Sequence, residues 1–239
     1  MTDHEHDLNE ESLLTRRQSL IRFAGAAALV GGAGAWRLTS ADAAGSGTEA
    51  VSKGLVQCVL TPELTEGPFY VSGEKLRRNI TEGKAGVPLL LNLKVINART
   101  CKVVKNATVE LWHCDAEGAY SGDLANNPGT NFLRGGQKTN ANGIAQIKTI
   151  YPGFYNGRAV HIHVKVHVRG NVVHTGQLFF PAAITNAVYK KAPYSSHGTT
   201  PDTTNADDSI YRNGGRKGLL TLKKSGSGYV GTISMGVLV

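Results

Sequence analysis

The chain has 239 residues, of which 41% are hydrophobic, 7% aromatic and 18% charged, with 29 Gly and 8 Pro. A charged fraction below the roughly 25% of ordinary soluble domains excludes a charge-driven disordered chain and a coiled coil, and the length suffices to bury a core without disulfides. Lys+Arg 26 against Asp+Glu 18 leaves +8, a balance that a nucleic acid or another polyanion would match.

The N-terminus predicts an address. Thr15-Arg16-Arg17-Gln18-Ser19-Leu20-Ile21-Arg22-Phe23 leads into a Gly/Ala-rich apolar run over 24–36, closed by Arg37. About 13 residues are too few to carry a helix across roughly 30 Å of hydrocarbon, so no stable membrane span is expected. Ala41-Asp42-Ala43 is the small-x-small pattern that a signal peptidase accepts, which places cleavage after Ala43. The pattern resembles a bacterial twin-arginine signal, whose export machinery carries folded proteins to the periplasm or outside. A helix of the fold is the competing explanation, disfavoured because the run has no apolar stripe of period 3.6.

Residues 44–57, which include Gly-Ser-Gly-Thr, predict a flexible linker, and residues 58–239 a single domain without repeats. The three cysteines, Cys58, Cys101 and Cys114, form no CxxC pair for zinc. An oxidising compartment would join two of them and leave one thiol, and spacing leaves the pairing open.

From Cys58 onward short apolar runs alternate with turn signals. Strands are predicted over 89–96, 107–113, 144–150, 160–168, 172–180 and 229–237, with Gly170-Asn171 as a hairpin signal between the fourth and fifth. Short strands at about ten-residue spacing, without an amphipathic helix of convincing length, imply an all-β fold: an antiparallel β-sandwich with long loops. The polar stretch 195–213 is expected to be a surface loop.

The chemistry concentrates around residues 151–168. Along the fourth strand Val160, Ile162, Val164, Val166 and Val168 would face a core, while His161, His163, Lys165 and His167 point the other way. The Cα atoms of His161 and His163 would lie about 6 to 7 Å apart, near enough for both imidazoles to reach one ion, with His167 too far along to share it. A His-x-His on a polar strand face is weak by itself, since such faces take histidine freely. Its company adds weight: Tyr155 at a turn set by Pro152-Gly153, and Tyr120 at the end of the segment that starts at Trp112. Phenols beside paired histidines suit a hard, highly charged ion, ferric iron more than zinc.

Five motifs in order carry a family resemblance: Thr65-Glu66-Gly67-Pro68-Phe69-Tyr70; Val109-Glu110-Leu111-Trp112-His113 leading to Gly118-Ala119-Tyr120-Ser121; Pro152-Gly153-Phe154-Tyr155; Arg158-Ala159-Val160-His161-Ile162-His163; and Gln177-Leu178-Phe179-Phe180. Together they resemble the intradiol ring-cleavage dioxygenases of the protocatechuate 3,4- and catechol 1,2-dioxygenase type. The resemblance implies one non-haem Fe(III) per chain bound by Tyr120, Tyr155, His161 and His163, with water or hydroxide in the fifth position. Tyr155 and His161 would be axial, Tyr120 and His163 equatorial. It further implies Arg158 and Gln177 beside the substrate, with Tyr155 as a dissociable base, and Pro68 and Phe69 lining the pocket. The implied reaction cleaves a catechol-type ring between its hydroxyl-bearing carbons with O₂, giving a cis,cis-muconate-type diacid.

Three departures stand out. Ala159 occupies a position where cytoplasmic members usually carry Pro. The interval from Tyr155 to His161 is short, which predicts a more open site, and no helical dimerisation segment precedes the domain. Blander roles are assigned elsewhere: Glu66 a solvated carboxylate, Trp112 a core residue, His113 supporting or exposed, Arg216, Lys217, Lys223 and Lys224 surface charges.

Two competing function classes remain in the sequence: a zinc or copper site using His161, His163 and His167 or His174, and a non-catalytic sandwich that binds acidic polysaccharide or another polyanion. The first 43 residues hold four basic and six acidic side chains, so residues 44–239 carry +10. The basic residues are scattered and lack interleaved aromatics, which argues against nucleic acid and favours small aromatic diols, including carboxylated or lignin-derived ones.

Overall fold

Leu89, Leu91, Leu93 and Val95 alternate along β1 (Pro88–Asn97) and all are buried, as a strand with one face on a core requires. The computed structural model describes residues 58–239 apart from Glu74; the predicted signal peptide (1–43) and linker (44–57) lie outside the described residues.

The chain continues through β2 (Thr108–Trp112), β3 (Arg134–Lys138), β4 (Ile144–Ile150), β5 (His161–Val168) and β6 (Asn171–Phe179). Short helices α1 (Ala182–Tyr189), α2 (Tyr194–His197) and α3 (Ser209–Arg212) and a 3₁₀ turn precede β7 (Thr221–Ser225) and β8 (Gly228–Val237). Two four-stranded sheets, ordered β4-β1-β8-β7 and β3-β2-β5-β6, form the predicted sandwich. Leu91, Leu93, Ile147 and Met235 from one sheet meet Val109, Leu111, Ile162, Val164 and Val166 from the other in a single core cluster. No described helix is long and apolar enough to cross a membrane.

Three features differ from expectation. The pairing of these strands is antiparallel except that β8 runs parallel to its neighbour β1; the two are far apart in sequence, and the long connection between them permits that direction. β3, Arg134-Gly135-Gly136-Gln137-Lys138, has no apolar residue to announce it, and β7 is an exposed edge strand whose Lys223 and Lys224 point to solvent, a composition that also discourages edge-to-edge association. The stretch 195–213 is structured in part, with α3 capped by Asp208, whose side chain accepts from the amides of Ile210 and Tyr211.

Cys58 and Cys101 form a disulfide, and Cys114 is a buried free thiol.

Candidate metal centre

β5 fixes the histidines. Ile162, Val164 and Val166 enter the sandwich core while His161, His163 and Lys165 lie on the opposite face, yet these three are also buried, at 2%, 1% and 5% exposure. A second layer therefore covers the outer face of this sheet. It is an aromatic cluster of Trp112 and Tyr120 with Cys114, against which Phe69, Tyr70 and Tyr155 pack.

Two loops bring the phenols in. In the first, the Asp115 carboxylate accepts from the amides of Glu117 and Ala119 at 3.0 Å, closing a tight turn just before Tyr120. Gly118 in this turn has φ +85°, and a Cβ there would meet the Phe154 carbonyl at 2.3 Å, so only glycine lets the loops approach this closely. In the second, the Gly153 amide donates to the Asp115 carbonyl at 2.9 Å, seating the turn that carries Tyr155 against the first loop.

The four predicted ligands converge. Tyr155 Oη lies 3.1 Å from His161 Nε2, and His161 Nε2 lies 3.1 Å from His163 Nε2. The Tyr120 and Tyr155 rings meet edge-on at 5.7 Å, and Tyr120 lies edge-on to His163 at 6.2 Å. His161 Nδ1 is 2.6 Å from the Ala159 carbonyl, which fixes the proton on Nδ1 and leaves the Nε2 lone pair facing inward. The Tyr120 hydroxyl is buried without a hydrogen-bond partner.

Burial drives the electrostatics. It lowers His161 from its ordinary value to about 3, with Arg158 adding to the effect, and takes His163 well below the usual imidazole range, helped by His161. Both rings are therefore neutral donors at ordinary pH. Burial raises Tyr120 well above the usual phenol range and raises Tyr155 as well, Arg158 partly offsetting the latter. A bound cation of high charge would reverse that preference and hold both as phenolates. Two imidazoles and two phenols, one of them the buried Tyr120 hydroxyl, fit such an ion.

Arg158 and Gln177 sit together beside this centre. Arg158 Nη2 donates to Gln177 Oε1 at 2.5 Å and Nη1 reaches Tyr155 Oη at 3.5 Å, while Gln177 Nε2 donates to the Thr65 carbonyl at 3.0 Å. Phe69 stacks on Tyr120 at 4.3 Å with an 11° interplanar angle and meets Tyr155 edge-on at 6.3 Å. Pro68 precedes it and is exposed.

Other histidines do not join. His167 pairs with Glu110 at 2.9 Å, and His174 is in register with Val166, on the core face of the sheet. His113 is fully buried, with Nδ1 on the Cys114 carbonyl and Nε2 on Thr149 Oγ1, each at 2.7 Å. Among the described residues no group of three or more His, Cys, Asp or Glu side chains could hold a metal, so neither His167 nor His174 completes a site with His161 and His163.

Two residues gain roles that the sequence did not assign. Asp208 is 2% exposed and its carboxylate accepts from Arg158 Nε at 2.9 Å. The N-cap pattern of Asp208 before Ser-Ile-Tyr could have signalled a helix start, but nothing in the sequence tied it to Arg158. Trp112 is buried as expected, but on the outer face, stacked parallel to His163 at 5.0 Å and 7°.

The Dioxygenase_C profile, described as Dioxygenase, matches residues 65–184, the stretch that contains all four convergent side chains. The chain belongs to the intradiol ring-cleavage dioxygenase family. An intradiol ring-cleavage dioxygenase from Tetranychus urticae shares 32% identity at a TM-score of 0.72, over 76% of this chain and 95% of that one. The dioxygenase domain of a dioxygenase carbohydrate-binding protein fusion from Streptomyces sp. SirexAA-E shares 29% identity at a TM-score of 0.58, over 75% and 99%. Chlorocatechol 1,2-dioxygenase of Cupriavidus pinatubonensis is 27% identical over 156 residues, 56% of this chain and 59% of that protein, so the match spans little more than half of this curated relative.

Proposed function

We propose that this intradiol family member is a ferric, non-haem enzyme that cleaves a catechol-type ring between its two hydroxyl-bearing carbons with O₂, giving a cis,cis-muconate-type diacid. The observation that carries the proposal is the convergence of Tyr120, Tyr155, His161 and His163 around a buried Tyr120 hydroxyl with no hydrogen-bond partner. Those four residues would hold Fe(III). When bound, the ion would supply the charge that ionises both phenols and the substrate diol and the orbitals that let the dianion react with O₂.

The chain's own residues do the rest. Tyr155 is half-buried just before the Asn156-Gly157 turn, where its Oη would be placed to accept a substrate proton. Arg158, braced by Asp208 and Gln177, keeps its guanidinium where negative charge develops on the ring, an arrangement prepared before the reaction begins. Phe69 forms an apolar wall against Tyr120 that excludes water from that side. The charge of +10 on residues 44–239 favours carboxylated or lignin-derived diols among the catechols.

We also place the enzyme outside the cytoplasm, delivered by the twin-arginine machinery and cleaved after Ala43. The paired arginines and the Cys58–Cys101 disulfide support that location.

Colour tests the metal assignment. Protein loaded with ferric iron should be burgundy from tyrosinate-to-iron charge transfer, Tyr155→Phe should alter that band and slow turnover, and His163→Ala should lose the iron. A colourless protein that holds zinc, or a His163→Ala/Tyr155→Phe variant that remains iron-replete and active, would overturn the proposal.

A further inference from the structure

Lys165 takes no part in the chemistry above, yet its side chain is only 6% exposed and sits on the same face of β5 as the histidines. Its ammonium lies 3.4 Å from the centroid of the Tyr70 ring and pairs with the carboxylate of Glu66. Both partners belong to one segment, residues 64–70, which crosses the outer face of β5 and β6. The same segment is tied at two further points: the Leu64 amide donates to the Thr175 carbonyl at 2.9 Å, and the Thr65 carbonyl accepts from Gln177. Between these ties Gly67 presses on His163, where an added Cβ would come within 3.1 Å of the ring at φ +71°, and Phe69 stacks on Tyr120.

A lysine buried this deeply costs desolvation that its surroundings must recover; the two groups its ammonium touches lie on the covering segment, while the buried Glu110 carboxylate opposite it on β2 accepts from the Tyr70 hydroxyl at 3.4 Å and holds the same ring from the sheet. The segment has no strand or helix of its own over 64–70, so its position depends on side chains reaching up from the sheet. We propose that Lys165 is a positioning residue: its ammonium, gripped between Glu66 and the face of Tyr70, fastens the 64–70 segment over the metal centre and thereby sets Phe69 and Pro68 as the wall that selects the substrate. The substrate-selecting half rests on the proposed function; the fastening half does not. Gly67 and Phe69 of the segment touch His163 and Tyr120, but those two side chains are placed by β5 and by the Asp115 turn, so loss of the anchor raises KM while leaving iron content and kcat close to wild type.

Hydrogen exchange on the metal-free protein separates the two halves. In Lys165→Met the Leu64 amide should exchange about tenfold faster, while amides of β2 and β5 keep their protection. Glu66→Gln removes the charge of a half-exposed carboxylate while keeping its shape and leaving the Tyr70 contact in place, and should produce a smaller rise at the same amide. In steady-state oxygen uptake with catechol, Lys165→Met should raise KM about fivefold, with kcat within about twofold, and with unchanged iron per chain and visible band. Leu64 protection equal to wild type in both variants would overturn the proposal. An unchanged KM alongside faster exchange would overturn its substrate-selecting half. A wild-type protein without dioxygenase activity would sink the functional assignment while leaving the exchange result to decide the fastening.

Discussion

The Asp208 carboxylate accepts from Arg158 Nε and, with the same oxygen, from the backbone amide of Ala159, both at 2.9 Å. Ala159 in turn offers its carbonyl to His161 Nδ1. One carboxylate from the 195–213 stretch therefore orients the guanidinium beside the centre and, through the backbone of one residue, the ring of a proposed ligand. Asp208→Asn keeps the shape but loses the charge and one acceptor geometry, and should lower kcat/KM about tenfold with iron retained, as expected for a charge-assisted bond near 1.4 kcal/mol. Asp208→Ala should additionally cost about 1 kcal/mol in urea unfolding through loss of the α3 cap.

Tyr120 carries the clearest conflict between stability and function. Its hydroxyl is buried and makes no full hydrogen bond, approaching only the Tyr155 phenol, a state that costs up to roughly 1–3 kcal/mol. Tyr120→Phe should stabilise the metal-free protein by about 1 kcal/mol in urea unfolding and at the same time weaken ferric iron binding in a titration. A metal-free variant less stable than wild type would mean that the hydroxyl has a stabilising partner.

Acid should destabilise the metal-free protein through buried histidines outside the ligand set. Burial lowers His113 and His174 from 6.5 to about 4 each. Between pH 6.5 and about 4 the unfolded chain takes up protons that the folded one refuses at these two sites, so their contribution is full above pH 6.5 and lost as pH drops through that window, while His161 and His163, lowered further, extend the fall below it. Each residue accounts for up to about 3 kcal/mol. Urea midpoints measured from pH 7 to pH 4 should show the fall, and His174→Leu should flatten it.

The disulfide closes a separation of 43 residues, for which loop-closure entropy gives about 4 kcal/mol. Cys58→Ser or a reducing agent should lower the melting temperature, whereas an alkylating reagent should leave folded Cys114 unmodified, because burial removes it from solvent and pushes its thiol up.

Local pattern made much of this legible. The alternation from Val160 to Val168 predicted which side chains enter the core and which bear the site, and all four proposed ligands come together as the family resemblance implied. Long-range relationships were not legible. No local signal ties Asp208 to Arg158 across 50 residues, or Lys165 to Glu66 across 99. Trp112 looked like ordinary core because period-2 alternation says only that a face is covered, not by what. The outer face of β5 turned out to be roofed by the 64–70 segment and by the aromatic cluster, and its histidines are therefore buried rather than solvated.

Incubation of iron-loaded protein with catechol under ¹⁸O₂, followed by mass spectrometry of the product, decides the reaction. A cis,cis-muconate-type diacid carrying labelled oxygen from both atoms of O₂ is the expected result. A semialdehyde from cleavage beside the diol, or unreacted catechol in protein that has bound its iron, would contradict it.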